Sequence, residues 1–131
     1  MKSKILVIED NEQNMYLLTF LLERNNFEVI QAVDGRQGID AAEKNRPTLI
    51  LLDIQLPVMS GYEVACELRK DPDFDTIPII AVTSYAMPGD REKAMASGCT
   101  GYIEKPINPA TFISDFQKFL PAHSSEKGSL P

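Results

Sequence analysis

The chain has 131 residues, a formal net charge of −6, 44% apolar and 24% charged side chains. That length suits one domain whose core closes without staples, and the composition is that of an ordinary soluble globular protein. The acidic balance excludes a nucleic-acid-binding surface, which needs stripes of Lys and Arg, but it suits a cation site if the carboxylates cluster.

Lys2-Ser3-Lys4 leads directly into Ile5-Leu6-Val7-Ile8, too short for a secretory signal or a membrane span. Cys66 and Cys99 lie far apart and form no C-x-x-C pair, which predicts free thiols in a reducing, cytoplasmic setting. The apolar run from Lys4 to Ile8 reads as a first strand ending at Glu9-Asp10. Asn11 caps a helix to about Asn25, whose buried face carries Met15, Leu18, Leu21 and Leu22. Phe27 to Gln31 reads as the second strand, and Asp34-Gly35 opens a helix that ends before Pro47.

Thr48 to Asp53 is the central strand, apolar without alternation and so suited to burial on both faces of a parallel sheet. It stops at the carboxylate of Asp53, and Pro57 and Gly61 turn the chain soon after. Ser60 with Glu63 is a capping-box signature for a helix reaching about Lys70, and Asp71 to Asp75 reads as a loop. Ile77 to Val82 is the next buried strand, with Pro78 near its start and Thr83-Ser84 at its end. Pro88 fits the first turn of a fourth helix and Gly98 the position just past its end. Thr100 to Glu104 is the last strand, ending at Lys105-Pro106. Asn108-Pro109 caps and starts a fifth helix with the stripe Phe112, Ile113, Phe116, Phe119 and Leu120. Residues 1–120 are expected to form one domain, and 121–131, which include His123, a fraying tail.

Five strands alternating with five helices imply an α/β fold, a single doubly wound parallel sheet with right-handed crossovers. In such a sheet the strand ends share one edge, where ligands bind. That edge would gather Glu9 and Asp10, Asp53, Thr83 and Lys105. Two like charges ~5 Å apart cost about 3 kcal/mol at an effective dielectric near 20. A hard divalent cation such as Mg²⁺, which prefers oxygen ligands, removes that cost. A carboxylate nucleophile, a metal, an ammonium and a hydroxyl together make a phosphoryl-transfer site.

These residues carry a resemblance to a family. Val7-Ile8-Glu9-Asp10-Asn11, Leu52-Asp53-Ile54-Gln55-Leu56-Pro57, Met59-Ser60-Gly61, Ile79-Ile80-Ala81-Val82-Thr83 and Lys105-Pro106 resemble the receiver domain of two-component response regulators, especially stand-alone ones of the CheY and DivK kind. The resemblance spans Lys2 to Leu120 and implies the flavodoxin-like strand order 2-1-3-4-5, for which CheY is a standard example. It implies that Asp53 accepts a phosphoryl group from a phosphohistidine on a histidine kinase or phosphotransfer protein. It assigns Asp10, Asp53 and the main-chain carbonyl of Gln55 to Mg²⁺, with Glu9 acting through water, and Thr83 and Lys105 to the phosphoryl oxygens. It makes Lys105-Pro106 a cis peptide and Tyr102 the rotating aromatic of a switch coupled to Thr83. A downstream protein target would dock on the surface of the fourth helix, last strand and fifth helix, between Met87 and Ile107. Ser84 stands where the family usually has alanine or glycine, so Ser84, Gln55 and Tyr85 are expected to tune hydrolysis.

Three other readings compete with this one. An aspartyl-phosphate phosphatase places an acid/base aspartate two residues after its nucleophile, and Gln55 cannot move protons at neutral pH. A flavodoxin-like cofactor binder needs a phosphate loop where Glu9-Asp10-Asn11-Glu12 would repel phosphate, and G-x-x-x-x-G-K-[ST] is absent. A receiver cut from a hybrid histidine kinase would share the chemistry and differ in partners. Met1 and the polar tail favour a free-standing protein.

Overall fold

In a computed structural model, which describes residues 2–84 and 87–120, the elements alternate as expected. They are β1 (Lys4–Ile8), α1 (Glu12–Arg24), β2 (Glu28–Ala32), α2 (Gly35–Asn45), β3 (Leu49–Asp53), α3 (Gly61–Arg69), β4 (Ile79–Thr83), α4 (Asp90–Ala96), β5 (Gly101–Glu104) and α5 (Phe112–Gln117). The strands form one five-stranded sheet in the order β2-β1-β3-β4-β5, and every neighbouring pair is parallel. Tyr85 and the tail 121–131, with His123, lie outside the described residues. No helix among the described residues is long and apolar enough to cross a membrane.

Burial on both faces follows from the strand sequences. Leu49, Ile50, Leu51 and Leu52 are at most 1% exposed, as are Ile79, Ile80, Ala81 and Val82. Each fully buried Leu, Ile or Val contributes about 1.5–3 kcal/mol, which drives the sheet to the centre. Helices α1 and α5 cover one face, where Leu18 and Leu22 meet Phe112 and Phe116. Helices α2, α3 and α4 cover the other, with Ile39, Val64, Leu68 and Ala94. On the first face Phe27 meets Phe116 edge to face at 5.2 Å and Phe112 stacks on Phe116 at 5.7 Å.

Polar side chains set the helix starts. Asn11 accepts from the Asn14 N–H at 2.9 Å, and Asp34 from the Gln37 N–H at 2.8 Å. Ser60 and Glu63 make both bonds of the capping box, 3.3 Å to the Ser60 hydroxyl oxygen and 2.9 Å from the Ser60 N–H.

Several boundaries move for identifiable reasons. β4 begins at Ile79 rather than Ile77, because Pro78 has no N–H; its carbonyl still accepts from Ile50 at 2.9 Å. The 71–75 loop contains a single 3-10 turn, Pro72–Phe74, which sends Phe74 into the core. α4 starts at Asp90, two residues after Pro88, with Gly89 before it at φ 90°. α5 starts at Phe112 rather than at Asn108-Pro109. There the Asn108 side chain accepts from the Ala110 N–H at 2.9 Å, which closes a local turn before the regular helix begins.

The segment between β3 and α3 is held tightly. Met59 N–H donates to the Pro57 carbonyl at 2.7 Å, a three-residue turn that puts the β-branched Val58 at φ 68°. Gly61 N–H donates to the Ile54 carbonyl at 2.9 Å, and a Cβ on Gly61 would lie 2.5 Å from the Asp53 carbonyl oxygen. Only glycine lets α3 start this close to the end of β3. Gly61→Ala is expected to lower the unfolding free energy by about 1–3 kcal/mol, the usual range for overpacking, as measured by urea denaturation.

Candidate functional site

The parallel register decides what meets at the carboxyl edge. Ile8 pairs with Leu52, and Asp53 pairs with Val82, so β1, β3 and β4 end at nearly one level. The next residues are Glu9 and Asp10 after β1, with Asp53 and Thr83 closing β3 and β4. One carboxylate oxygen from each of Glu9, Asp10 and Asp53 lies within 4.8 Å of the others. Glu9 is 1% exposed, Asp53 and Thr83 3% each, while Asp10 faces solvent. The cluster thus has a dry floor and one open side.

Lys105 reaches this floor from the end of β5. Its Nζ lies 2.9 Å from Glu9 Oε1 and 3.3 Å from Asp53 Oδ2, and its side chain is 8% exposed. The Lys105 N–H donates to the Thr83 carbonyl at 2.7 Å, which ties the ends of β4 and β5 together. The Lys105–Pro106 peptide is cis, as the resemblance implied. Asp53 Oδ1 accepts from the Gln55 N–H at 2.9 Å, and Glu9 Oε2 from the Asn11 N–H at 3.2 Å.

The ion balance is uneven. A single ammonium contacts two carboxylates, and among the described residues no cation pairs with the third, Asp10. Glu9 Oε1 has the ammonium beside it but no aligned hydrogen-bond donor. Burial pushes the Glu9 carboxyl up to about 7; the adjacent Lys105 ammonium opposes this and the nearby Asp53 charge adds to it. A buried carboxylate oxygen without a directed donor, beside two more carboxylates, is a donor set for a hard cation. Glu9, Asp10 and Asp53 could hold one, and the Gln55 main chain adjoins them through its bond to Asp53.

Among the described residues, those expected at the site are at this edge, Tyr102 excepted. Tyr102 is half-buried on β5 and lines a groove of about 490 Å³ together with Met87, Arg91, Ile107, Phe112 and Lys118. It pairs with Ala81, which lies two residues before Thr83 on the same face of the sheet. Ser84 and Gln55 are exposed beside the acidic cluster. One partner was not read from the sequence. The Arg91 guanidinium sits 5.4 Å from the centroid of the Tyr102 ring. An exposed arginine on a short helix carries no local pattern that announces this contact.

A family model described as the response regulator receiver domain matches residues 5–117. The chain is 43% identical over 120 residues to the polar-differentiation response regulator DivK of Brucella anthropi, covering 92% of this chain and 98% of that protein. Among solved structures it is similar to the chemotaxis protein CheY4 of Vibrio cholerae, with a TM-score of 0.87 and 30% identity over 92% of this chain and 100% of that one. It is also similar to the receiver domain of a sensor histidine kinase from Pseudomonas aeruginosa, whose structure has a magnesium ion coordinated in its active-site cleft. The TM-score is 0.83, at 34% identity over 91% of this chain and 98% of that chain.

The raised Glu9 carboxyl has a consequence for the metal-free protein. Its folded value of about 7 exceeds the ordinary 4.5, so the fold holds this proton more tightly than the unfolded chain does. The associated stability is complete below the ordinary value and is lost as pH rises through about 7. With metals chelated, urea denaturation is therefore expected to register declining stability from about pH 5 to 7, and Glu9→Gln should flatten that slope.

Proposed function

The chain belongs to the response regulator receiver domain family, and on that premise we propose that Asp53 accepts a phosphoryl group from a phosphohistidine of a histidine kinase or phosphotransfer protein. The observation that carries this reading is the contact of one buried ammonium, Lys105, with both Glu9 and Asp53 inside a cluster of three carboxylates. In the transfer, a bond forms between an Asp53 carboxylate oxygen and phosphorus, and the bond from phosphorus to the donor imidazole nitrogen breaks. The bonding electrons leave with the imidazole, which takes up a proton.

Glu9, Asp10, Asp53 and the Gln55 carbonyl would hold Mg²⁺, Glu9 through water; the clustered carboxylates support this. When bound, that ion would supply positive charge against the carboxylates and the phosphoryl oxygens. The remaining work belongs to the chain. The Gln55 N–H fixes one Asp53 oxygen and so orients the carboxylate. Lys105 is already at the floor of the site and can follow a phosphoryl oxygen once one arrives, while the Thr83 hydroxyl donates to another. Gln55 and Ser84, exposed at the entrance, are placed to influence the access of hydrolytic water.

The output is a change of surface. Drawing Thr83 inward frees space on the face that it shares with Tyr102, and the ring turns in from the groove. The groove formed by α4, β5 and α5 is then the surface a downstream protein reads. Couplings of this kind are typically about 1–3 kcal/mol, enough to bias partner binding. This makes the chain a phosphoacceptor switch that assists its own phosphorylation and dephosphorylation.

Asp53→Asn is expected to abolish labelling by a small phosphodonor in Mg²⁺ while circular dichroism reports an intact fold. Acid-labile phosphate retained by that variant would contradict the assignment. Lys105→Ala is expected to keep Mg²⁺ affinity within a few-fold, yet to remove the effect of phosphorylation on partner affinity, as followed by calorimetry. Asp10→Asn should instead weaken Mg²⁺ binding by at least about 10-fold, the cost of one carboxylate ligand at roughly 1.4 kcal/mol per decade.

A further inference from the structure

α4 is the most weakly seated of the helices described. It has 7 residues, only Ala94 is buried, and no side chain caps its start. Two cations on it lie over aromatic rings of its neighbours. The Arg91 guanidinium is 5.4 Å from the ring centroid of Tyr102 on β5, and the Lys93 ammonium is 4.6 Å from that of Tyr62 on α3. Arg91 and Lys93 are both exposed, and both rings are half-buried. The two contacts are alike in chemistry and differ in the element that carries the ring: Tyr102 is a β5 residue in register with Ala81, two positions before Thr83 on β4, whereas Tyr62 lies on α3, which covers that face.

We propose that Arg91 is a latch that holds Tyr102 in its groove-lining position and so opposes phosphoryl binding at Asp53. This rests on the switch reading given above. Its physical basis is a differential contact. With the ring lining the groove, the guanidinium lies over its face; an inward turn carries the ring away from Arg91 and gives that contact up. A contact made in one arrangement and lost in the other biases the equilibrium between them. Because coupling is reciprocal, whatever favours the resting surface weakens binding at the acidic site by the same factor. Lys93 makes a comparable contact to the α3 ring of Tyr62, so it seats α4 without holding Tyr102 itself.

The test measures the affinity of the full chain for fluoroberyllate, a tetrahedral mimic of aspartyl phosphate, in the presence of Mg²⁺. Arg91→Ala is expected to tighten binding by about two- to fivefold, the factor expected for an exposed cation–π contact. Arg91→Lys, which keeps the cation, should fall between Arg91→Ala and the parent, and Lys93→Ala should match the parent. In a Tyr102→Leu background, Arg91→Ala should have no further effect, since the contact is already gone. An Arg91→Ala affinity equal to that of the parent overturns the latch. An equal tightening by Lys93→Ala also overturns it, because it would reduce Arg91 to general seating of α4. If the parent fails to bind the mimic, or Asp53→Asn binds it equally well, the reading of Asp53 itself falls, and the latch with it. Parent binding that Asp53→Asn abolishes, with Arg91→Ala unchanged, removes the latch alone.

Discussion

Three carboxylate oxygens gathered within 4.8 Å of one another, at the end of a dry sheet, repel. The ammonium of Lys105 is what allows the fold to keep them there. It touches Glu9 and Asp53 together, and its side chain is nearly as buried as theirs. Removing one partner of such a buried group typically costs about 3–5 kcal/mol, because the remaining charge is stranded. Yet the compensation is incomplete. Among the described residues no cation pairs with Asp10 and no directed donor reaches Glu9 Oε1, and burial pushes the Glu9 carboxyl up to about 7. The site is stable enough to fold and still short of positive charge, a condition that favours an incoming hard cation.

The rest of the fold holds this imbalance in position. Parallel pairing in register brings the ends of β1, β3 and β4 to one level, and the bond from Lys105 N–H to the Thr83 carbonyl sets β5 beside them. The close start of α3 at Gly61 pins the chain that leaves Asp53. Farther from the site, Arg69 closes the opposite end of α3. Its guanidinium donates to the Phe74 carbonyl and the Thr100 hydroxyl, and its Nε donates to the Gly98 carbonyl at 2.9 Å. One half-buried arginine thus joins the ends of α3, the 3-10 turn and the approach to β5.

Much of this was legible in the amino-acid order. Apolar runs without alternation marked β1, β3 and β4, and the capping residues Asn11, Asp34 and Ser60 occur where helices begin. Once the alternation implied a parallel sheet, the residue after each run located most of the site, including Lys105, which is 52 positions from Asp53. Boundaries were less legible where proline or a side-chain turn competes with regular structure. Pro78 has no N–H and keeps only the bond that its carbonyl accepts from Ile50, and Asn108 spends its side chain on a turn. Two features have no local signature. Val58 takes a positive φ although it is β-branched, because the short bond across Pro57 and Met59 demands it. Arg91 finds Tyr102 through space, from a helix whose sequence would serve equally well without that contact.

The two coverings of the sheet differ in character. Under α1 and α5 lie the large rings Phe27, Phe112 and Phe116, locked against one another. Under α4 the buried contributors are small, Ala94 and Ala81, beside a half-exposed tyrosine. Such an architecture separates durability from responsiveness: the aromatic side resists deformation, and the seat of α4, with Ala94 as its one buried residue, yields at lower cost. Substitutions around α4 can therefore accumulate without eroding the aromatic side, and the scaffold stays unaltered while that edge varies.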